Sequence, residues 1–232
     1  MNIRKNLNIS AYLVIGPENT KNRPVQNIIA AAVSAGFTCI QIRSKTASAR
    51  ELIAITAQAA AVIAAAHKQN NISLLVDDRL DVVLAAREAG TKVDGIHVGQ
   101  TDIPVSVCRK YLGENSIIGL SAKTDELFSY VKTADVSQID YFGAGPLHKT
   151  PTKLDCGLDK HGQIITRSFA DIAKLVEISP IPVVVGGGVK INDIPQLAQT
   201  KAAGFFVVSA VTHAADPRQA AFSLVKTWHD NI

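Results

Sequence analysis

The sequence predicts an α/β fold, a single-domain (β/α)8 (TIM) barrel over residues 1–232, with the barrel core at about residues 11–230. Three observations predict it. Eight short runs of aliphatic and β-branched residues alternate with segments of helical periodicity. The runs are continuously apolar, which is typical of parallel strands that are buried on both faces. The length of 232 residues is close to the roughly 250 residues of such barrels.

The predicted strands and helices alternate along the chain. The strands cover residues 11–16, 38–43, 73–78, 94–99, 116–121, 139–145, 182–187 and 204–209. Helical periodicity predicts helices over residues 47–69, 78–89, 104–112, 124–133, 168–178, 193–199 and 217–228. The longest irregular piece, 146–166, is too long for a routine connection, so we expect a functional loop there. A doubly wound open sheet is the alternative arrangement of the same elements.

Charge and composition exclude several classes of function. The net charge is +4, no run of Lys and Arg is long enough for a nucleic-acid-binding arm, and aromatic residues make up 5% of the chain. We therefore expect no nucleic-acid partner, and we attribute the positive charge to anionic small-molecule substrates. No apolar stretch reaches the roughly 18 residues that a membrane helix needs, so no membrane partner is expected. A homo-oligomer is compatible with the sequence but is not predicted by it.

The cysteines favour a reducing compartment. Cys39, Cys108 and Cys156 are odd in number and form no CxxC pair, so neither a disulfide framework nor a zinc knuckle is indicated. The first ten residues lack the apolar run of a signal peptide. We therefore expect a cytoplasmic protein.

Polar residues concentrate at the predicted C-terminal ends of the strands, which is where barrel enzymes place their chemistry. They are Gln41, Arg43, Asp77, Asp78, Gln100, Asp102, Ser121, Gly145, Thr150, Gly187, Gly188 and Ser209. Side chains alternate along a strand, so Arg43 and Lys45 are expected to point to the same side, beside Gln41. Two converging cations at a strand end predict a phosphate or diphosphate site.

Two aspartates predict a metal site beside these cations. Asp78 and Asp102 end adjacent predicted strands, and carboxylates are hard oxygen ligands that suit Mg²⁺. The alternative is that Asp78 caps a helix beginning at Arg79 and that Asp102 caps one beginning at Pro104.

Two further segments could hold a second anionic group. The glycines at 186–188 and Ser209 lie at the C-terminal ends of the seventh and eighth predicted strands, where barrels often bind phosphate. Glycines also serve tight turns, so this signal is weak by itself. Thr150, Thr152 and Lys153 lie in the long loop and offer two hydroxyls and an ammonium group, although a solvated turn is the alternative.

Three other residues have simpler interpretations. His97 lies within a strand and is expected to pack inside the barrel rather than to act in catalysis. His148 lies in the long loop, where it could contact a substrate, but nothing in the sequence makes it a base. Trp228, near the C-terminus, is expected to anchor a helix.

Seven segments in this order resemble the thiamine-phosphate synthase (thiamine-phosphate pyrophosphorylase) family. They are QIRSK at 41–45, DDRLD at 77–81, GIHVGQTD at 95–102, IIGLSAKT at 117–124, GAGPLHKTPTK at 143–153, VVVGGGV at 183–189 and VVSAV at 207–211. Each piece is ordinary for a phosphate-binding barrel, whereas seven in register are highly specific. The resemblance covers residues 11–228.

The resemblance implies a reaction. It joins 4-amino-2-methyl-5-hydroxymethylpyrimidine diphosphate to a thiazole phosphate, which could also be carboxylated, and releases diphosphate. The implied mechanism is dissociative and assisted by Mg²⁺.

By position, the pyrimidine-diphosphate site would comprise Gln41, Arg43, Lys45, Ser121 and Lys153. The implied Mg²⁺ ligands are Asp78 and Asp102. The thiazole-phosphate site would comprise Thr150, Thr152, Gly188, Val208 and Ser209. The implied catalytic group is Arg43, Lys45, Ser121 and Lys153.

One residue departs from the family pattern. Asp77, which is expected beside the substrate, stands where the family usually has Asn. An ionised carboxylate only accepts hydrogen bonds and adds negative charge near a diphosphate. The competing interpretations are a thiazole tautomerase of the same fold and a non-catalytic thiamine-phosphate-binding protein. A sugar-phosphate isomerase is a third, but it would have no use for the Arg43 and Lys45 pair.

Overall fold

A closed barrel of eight parallel strands forms the centre of the protein in the computed structural model, which describes residues 4–122, 126–150 and 163–232. Each strand pairs in parallel with the next, and β8 closes on β1. The strands are β1 (Ala11–Ile15), β2 (Cys39–Ile42), β3 (Ser73–Asp77), β4 (Gly95–Val98), β5 (Ile117–Ser121), β6 (Tyr141–Ala144), β7 (Val183–Val185) and β8 (Gly204–Val207). The predicted barrel is confirmed, and the open-sheet alternative is wrong.

Helices surround the barrel. They are α1 (Val25–Ala35), α2 (Ala49–Ala65), α3 (Leu80–Glu88), α4 (Val105–Leu112), α5 (Leu127–Thr133), α6 (Phe169–Ile178), α7 (Ile194–Gln199), α8 (Ser209–Thr212) and α9 (Pro217–His229). Short 3-10 turns lie at Arg4–Asn6, Pro17–Asn19 and Ile191–Asp193. Helix α2 begins with a capping box, in which Ser48 and Glu51 satisfy each other's backbone N–H groups. No helix in the described part of the chain is both long enough and apolar enough to cross a membrane.

Helix α1 was not predicted from the sequence. Its first turn follows Pro24, and no side chain caps it, so the usual signal for a helix start is missing. The helix buries Ile28, Ile29 and Ala32 and packs against α2 and α9. It ends at Gly36, whose φ of 99° is in the left-handed region that favours glycine. Tertiary packing therefore stabilises a helix that has weak local signals.

Two layers of apolar residues lie on either side of the strands. The outer layer packs the strands against the helices and includes Leu13, Ile40 and Val76. The inner layer fills the barrel and includes Tyr12, Leu75, Ile117, Tyr141 and Val184. Because both faces of each strand are buried, the strands read as continuous apolar runs. In the outer layer the buried ring of Trp228 packs against Phe205 with ring centroids 5.5 Å apart, so its predicted role as an anchor is confirmed.

Gly119 leaves space for two rings inside the barrel. A Cβ atom at this position would lie 2.2 Å from Cζ of Tyr141 and 2.5 Å from Nδ1 of His97. We expect Gly119→Ala to lower the free energy of unfolding by about 1–3 kcal/mol, because the rings must shift to make room. Gly143→Ala is the graded comparison, since its Cβ would lie 3.1 Å from Cε1 of His97. Urea unfolding measures both, and an equal loss in the two variants would contradict the steric explanation.

Candidate active site

The C-terminal ends of β2 and β3 bring two cations and two carboxylates together. Arg43 Nε lies 3.0 Å from Asp77 Oδ2, and Lys45 Nζ lies 2.6 Å from Asp78 Oδ2. The register explains the pairing, because Ile42 of β2 is level with Val76 of β3, so the residues that follow them lie side by side. The predicted cluster of charges therefore forms, but each cation has an aspartate as its neighbour.

The Arg43–Asp77 pair lies inside the mouth of the barrel. The two side chains are 11% and 4% exposed, so neither charge is well solvated. The Arg43 Nε group makes no hydrogen bond among the described residues, so its contact with Asp77 is an ion pair without hydrogen-bond geometry. The negative charge that Asp77 adds to this site is thus balanced by Arg43.

Asp78 and Asp102 interact with each other as well as with Lys45. Burial acts to raise the pKa of Asp78, but the hydrogen bonds from Lys45 and Asp102 outweigh it and hold that pKa below its ordinary value. The pKa of Asp102 is raised, first by burial and then by the neighbouring Asp78 carboxyl. The Asp78 carboxylate thus opposes the ionisation of Asp102, a repulsion that a divalent cation bound by both carboxylates would relieve.

The structure argues against the capping interpretation of both aspartates. Helix α3 begins at Leu80 and helix α4 at Val105, and no side chain caps either one. Instead Asp102 Oδ2 accepts a hydrogen bond from the Gly99 N–H at 2.9 Å. Asp78 has a φ of 59°, a left-handed conformation that Asp and Asn adopt more readily than most residues.

The donor set fits Mg²⁺. Asp78 and Asp102 would supply two hard oxygen ligands, and no cluster of three or more His, Cys, Asp or Glu residues suited to a metal occurs in residues 4–122, 126–150 and 163–232. Mg²⁺ is commonly held by one or two carboxylates, with water and substrate phosphates completing its coordination. A two-carboxylate site is therefore appropriate for a metal that also binds a diphosphate.

Beneath these charges, a chain of buried polar side chains crosses the barrel. Gln41 Nε2 donates to the Tyr12 hydroxyl at 2.8 Å, and the Tyr12 and Tyr141 hydroxyls are 2.9 Å apart. His97 Nδ1 lies 2.9 Å from the Tyr141 hydroxyl, and His97 Nε2 lies 3.0 Å from Ser121 Oγ. The chain links two of the predicted site residues, Gln41 and Ser121, through residues that the sequence analysis did not assign to the site.

The glycine loop lies on the other side of the barrel mouth, after β7. Gly187 and Gly188 have φ values of 80° and 77°. A Cβ at Gly187 would lie 2.5 Å from Cβ of Pro146, and one at Gly188 would lie 2.9 Å from Cβ of His148. The glycines thus allow the segment after β6 to pack directly on this loop, a structural role that does not depend on phosphate.

Residues 11–211 match the profile of a family described as thiamine monophosphate synthase. The chain belongs to the thiamine monophosphate synthase family. It is 40% identical to the thiamine-phosphate synthase of Corynebacterium efficiens over 93% of both chains. It is 36% identical to that of Corynebacterium jeikeium over 97% of this chain and 96% of the relative. A solved thiamine phosphate pyrophosphorylase from Pyrococcus furiosus superposes with a TM-score of 0.77 at 28% identity, with full coverage of both chains.

Membership of the thiamine monophosphate synthase family makes the chain an enzyme of thiamine biosynthesis that acts on small molecules. Val208 and Ser209, which the resemblance assigned to the thiazole-phosphate site, lie at the end of β8 and at the start of α8. Thr150 is half-buried at the last described position before residue 151. Thr152 and Lys153 lie outside the described residues.

The two histidines of the sequence analysis have defined partners in this family member. His148 Nε2 lies 3.0 Å from both carboxylate oxygens of Asp193, away from the charged cluster. His97 is buried inside the barrel, as predicted, but it also contacts Ser121. Tyr12 and Tyr141 were not predicted to lie in the site. Each is a tyrosine at an inward-facing position of a strand, β1 for Tyr12 and β6 for Tyr141. A hydroxyl group inside the barrel needs a hydrogen-bond partner there, and this need could have identified both residues.

Proposed function

We propose that this enzyme condenses 4-amino-2-methyl-5-hydroxymethylpyrimidine diphosphate with 4-methyl-5-(2-phosphooxyethyl)thiazole, or with its carboxylated form, to give thiamine phosphate and diphosphate. The observation that carries the proposal is the cluster of Lys45, Asp78 and Asp102 at the ends of β2 to β4. It combines a cation for a diphosphate with two carboxylates for a metal.

The diphosphate would bind at the ends of β2 and β3. Mg²⁺ held by Asp78 and Asp102 would neutralise charge on the leaving diphosphate. Lys45 is half-exposed, so its ammonium group can turn from Asp78 toward a phosphate oxygen without leaving a buried charge behind. Arg43 and, by resemblance, Lys153 would add positive charge to the same group.

The proposed bond changes need no strong protein base. The C–O bond between the pyrimidine methylene and the diphosphate breaks, and the diphosphate leaves with the electron pair. The thiazole nitrogen then donates its lone pair to the methylene carbon and forms the new C–N bond. The protein therefore acts by stabilising charge on the departing diphosphate and by holding the two reactants together.

The thiazole phosphate would bind on the opposite side of the barrel mouth. The residues that we assign to it are Thr150, Thr152, Gly188, Val208 and Ser209. Backbone N–H groups after β7 and β8 are the usual phosphate donors in barrels of this kind. A phosphate anchor there would hold the thiazole in place through its phosphate rather than through the reacting nitrogen. We also propose a cytoplasmic location, in keeping with the buried free thiols of Cys39 and Cys108.

The test is diphosphate release from the pyrimidine diphosphate, measured with and without thiazole phosphate and with and without Mg²⁺. We expect release only when both are present, with thiamine phosphate as the product. Binding of thiazole phosphate without diphosphate release would refute the proposal and favour a tautomerase or a binding protein. Turnover at full rate in the presence of a chelator would refute the metal assignment alone.

Asp77 is predicted to restrain the enzyme. We expect Asp77→Asn to raise kcat/KM for the pyrimidine diphosphate roughly fivefold, because it frees the Arg43 charge for the substrate and removes a negative charge beside it, a change of about 1 kcal/mol. Steady-state kinetics at saturating Mg²⁺ measure the effect.

The matched control for this variant is Asp81→Asn. Asp81 is exposed on α3 and pairs with Arg79 at 2.6 Å, so its substitution makes the same change in charge away from Arg43. Unchanged kinetics in Asp77→Asn, or an equal gain in Asp81→Asn, would show that the Arg43–Asp77 pair does not limit the reaction.

A further inference from the structure

The buried polar chain inside the barrel joins two residues of the pyrimidine site that the family resemblance implies. Its members in order are Gln41, Tyr12, Tyr141, His97 and Ser121, joined by contacts of 2.8, 2.9, 2.9 and 3.0 Å. The first four are buried, and Ser121 lies half-buried at the end of β5. In an unbroken chain of this kind the direction of the first hydrogen bond determines the direction of each of the others. The reason is that each hydroxyl has a single proton to donate.

The rings of this chain cannot easily rearrange. His97 and Tyr141 stack with ring centroids 5.5 Å apart and an interplanar angle of 30°. Gly119 and Gly143 leave room for the two rings, since a Cβ at either position would press on one or both of them. Because the rings are held tightly, the heavy atoms of the chain stay in place. Only the positions of the hydroxyl and imidazole protons can differ.

The Gln41 amide supplies a direction. Its Nε2 group only donates, so the Tyr12 oxygen accepts from it. Burial raises the pKa of both Tyr12 and Tyr141 well above the ordinary value for a phenol, so both keep their hydroxyl protons. The Tyr12 hydroxyl then donates its hydrogen bond to the Tyr141 oxygen, with the Cys39 thiol as a nearby but weaker acceptor. The Tyr141 proton is left to point at Nδ1 of His97.

We propose that Gln41 fixes the direction of this chain, so that His97 is held as the neutral Nε2–H tautomer and donates to Ser121 Oγ. The Ser121 hydroxyl proton is then free to donate to an acceptor atom of the ligand. In this arrangement Tyr12, Tyr141 and His97 are positioning residues, and the two ends of the chain, Gln41 and Ser121, belong to the pyrimidine site. The direction of the hydrogen bonds does not depend on the proposed function. Only the identification of the Ser121 ligand as the pyrimidine diphosphate rests on it.

The charges around His97 are compatible with a neutral ring. Asp77 is level with His97 on the neighbouring strand, but its carboxylate is ion-paired with Arg43. The Asp77 carboxylate therefore already has a cation beside it. The Tyr141 hydroxyl contributes a neutral donor, which stabilises an unprotonated Nδ1.

The first test needs no substrate. Nitrogen-15 NMR of protein labelled at histidine distinguishes the two neutral tautomers from the imidazolium form, and His97→Gln identifies the signal. We expect the Nε2–H tautomer at neutral pH. An Nδ1–H tautomer or an imidazolium ring would overturn the proposal, whether or not the enzyme has the proposed activity.

The second test reverses the chain from its far end. In Gln41→Glu an ionised carboxylate can only accept, so Tyr12 must donate to it, Tyr141 must donate to Tyr12, and His97 must donate through Nδ1. We therefore expect the His97 signal to change to the Nδ1–H tautomer at a pH where carbon-13 NMR shows that the new carboxyl is ionised. An unchanged tautomer under that condition would show that Gln41 does not set the direction.

The third test uses activity and a conservative replacement. His97→Phe is expected to lower kcat/KM roughly tenfold, and His97→Gln is expected to recover part of the loss, because its amide can still donate toward Ser121. In a Ser121→Ala background the difference between these two variants should vanish. A difference that persists without the serine hydroxyl would mean that His97 acts only by filling space, and an inactive wild-type enzyme would overturn the proposed function alone.

Discussion

Replacing Asp78 with Asn is expected to lower kcat/KM for diphosphate release by about 100-fold and to raise the Mg²⁺ concentration needed for half-maximal activity. Asn keeps the shape of the side chain and tolerates the left-handed backbone that Asp78 adopts, with its φ of 59°. The substitution therefore removes a charge and a proposed metal ligand without a change in backbone strain. Activity measured across a Mg²⁺ titration reports both effects.

Asp78 also contacts Lys45 at 2.6 Å, so a loss of activity could arise from either partner. Lys45→Met separates them. It removes the cation but keeps both carboxylates, so we expect lower activity with no increase in the Mg²⁺ requirement. Asp81→Asn, on the exposed side of α3, should leave both quantities unchanged. A normal Mg²⁺ requirement in Asp78→Asn would show that the carboxylate serves only to position Lys45.

The sequence predicts the barrel well because its signal is repeated eight times. The run Leu74–Val76, for example, is apolar at every position, and both of its faces are buried in the structure. The observed strands begin and end within two residues of the predicted bounds. The helix Val25–Ala35 was missed because its stability comes from packing against α2 and α9, which no local pattern records.

The sequence predicts which polar residues lie at the site, but it does not predict which of them contact each other. Parallel strands place all their C-terminal ends at one side, so charges that follow β2, β3 and β4 had to meet. That Arg43 faces Asp77 follows from the β2–β3 register, which the sequence does not specify. The contact between Tyr12 and Tyr141 joins strands that are not neighbours, β1 and β6, so it exists only because the barrel closes.

Arg43 is expected to stabilise the fold as well as to bind substrate. Arg43→Leu would remove the cation that lies 3.0 Å from the Asp77 carboxylate, a side chain that is only 4% exposed. Removing one member of a buried ion pair typically costs about 3–5 kcal/mol, because the remaining charge is neither hydrated nor compensated. We expect a loss of that size in the free energy of unfolding, measured by urea denaturation.

The double variant Arg43→Leu/Asp77→Asn separates the charge effect from the packing effect. With the carboxylate neutralised, most of the lost stability should return, whereas diphosphate release should stay low because the substrate still lacks the Arg43 cation. The exposed pair Arg79–Asp81 is the matched control, since its side chains are 38% and 59% exposed and the same two substitutions there should cost about 0–1 kcal/mol. If the double variant is as unstable as Arg43→Leu, the loss comes from the arginine's packing, and the ion pair at the barrel mouth contributes little to stability. If stability returns while activity does not, one guanidinium group stabilises the barrel mouth in the free enzyme and the leaving group during turnover.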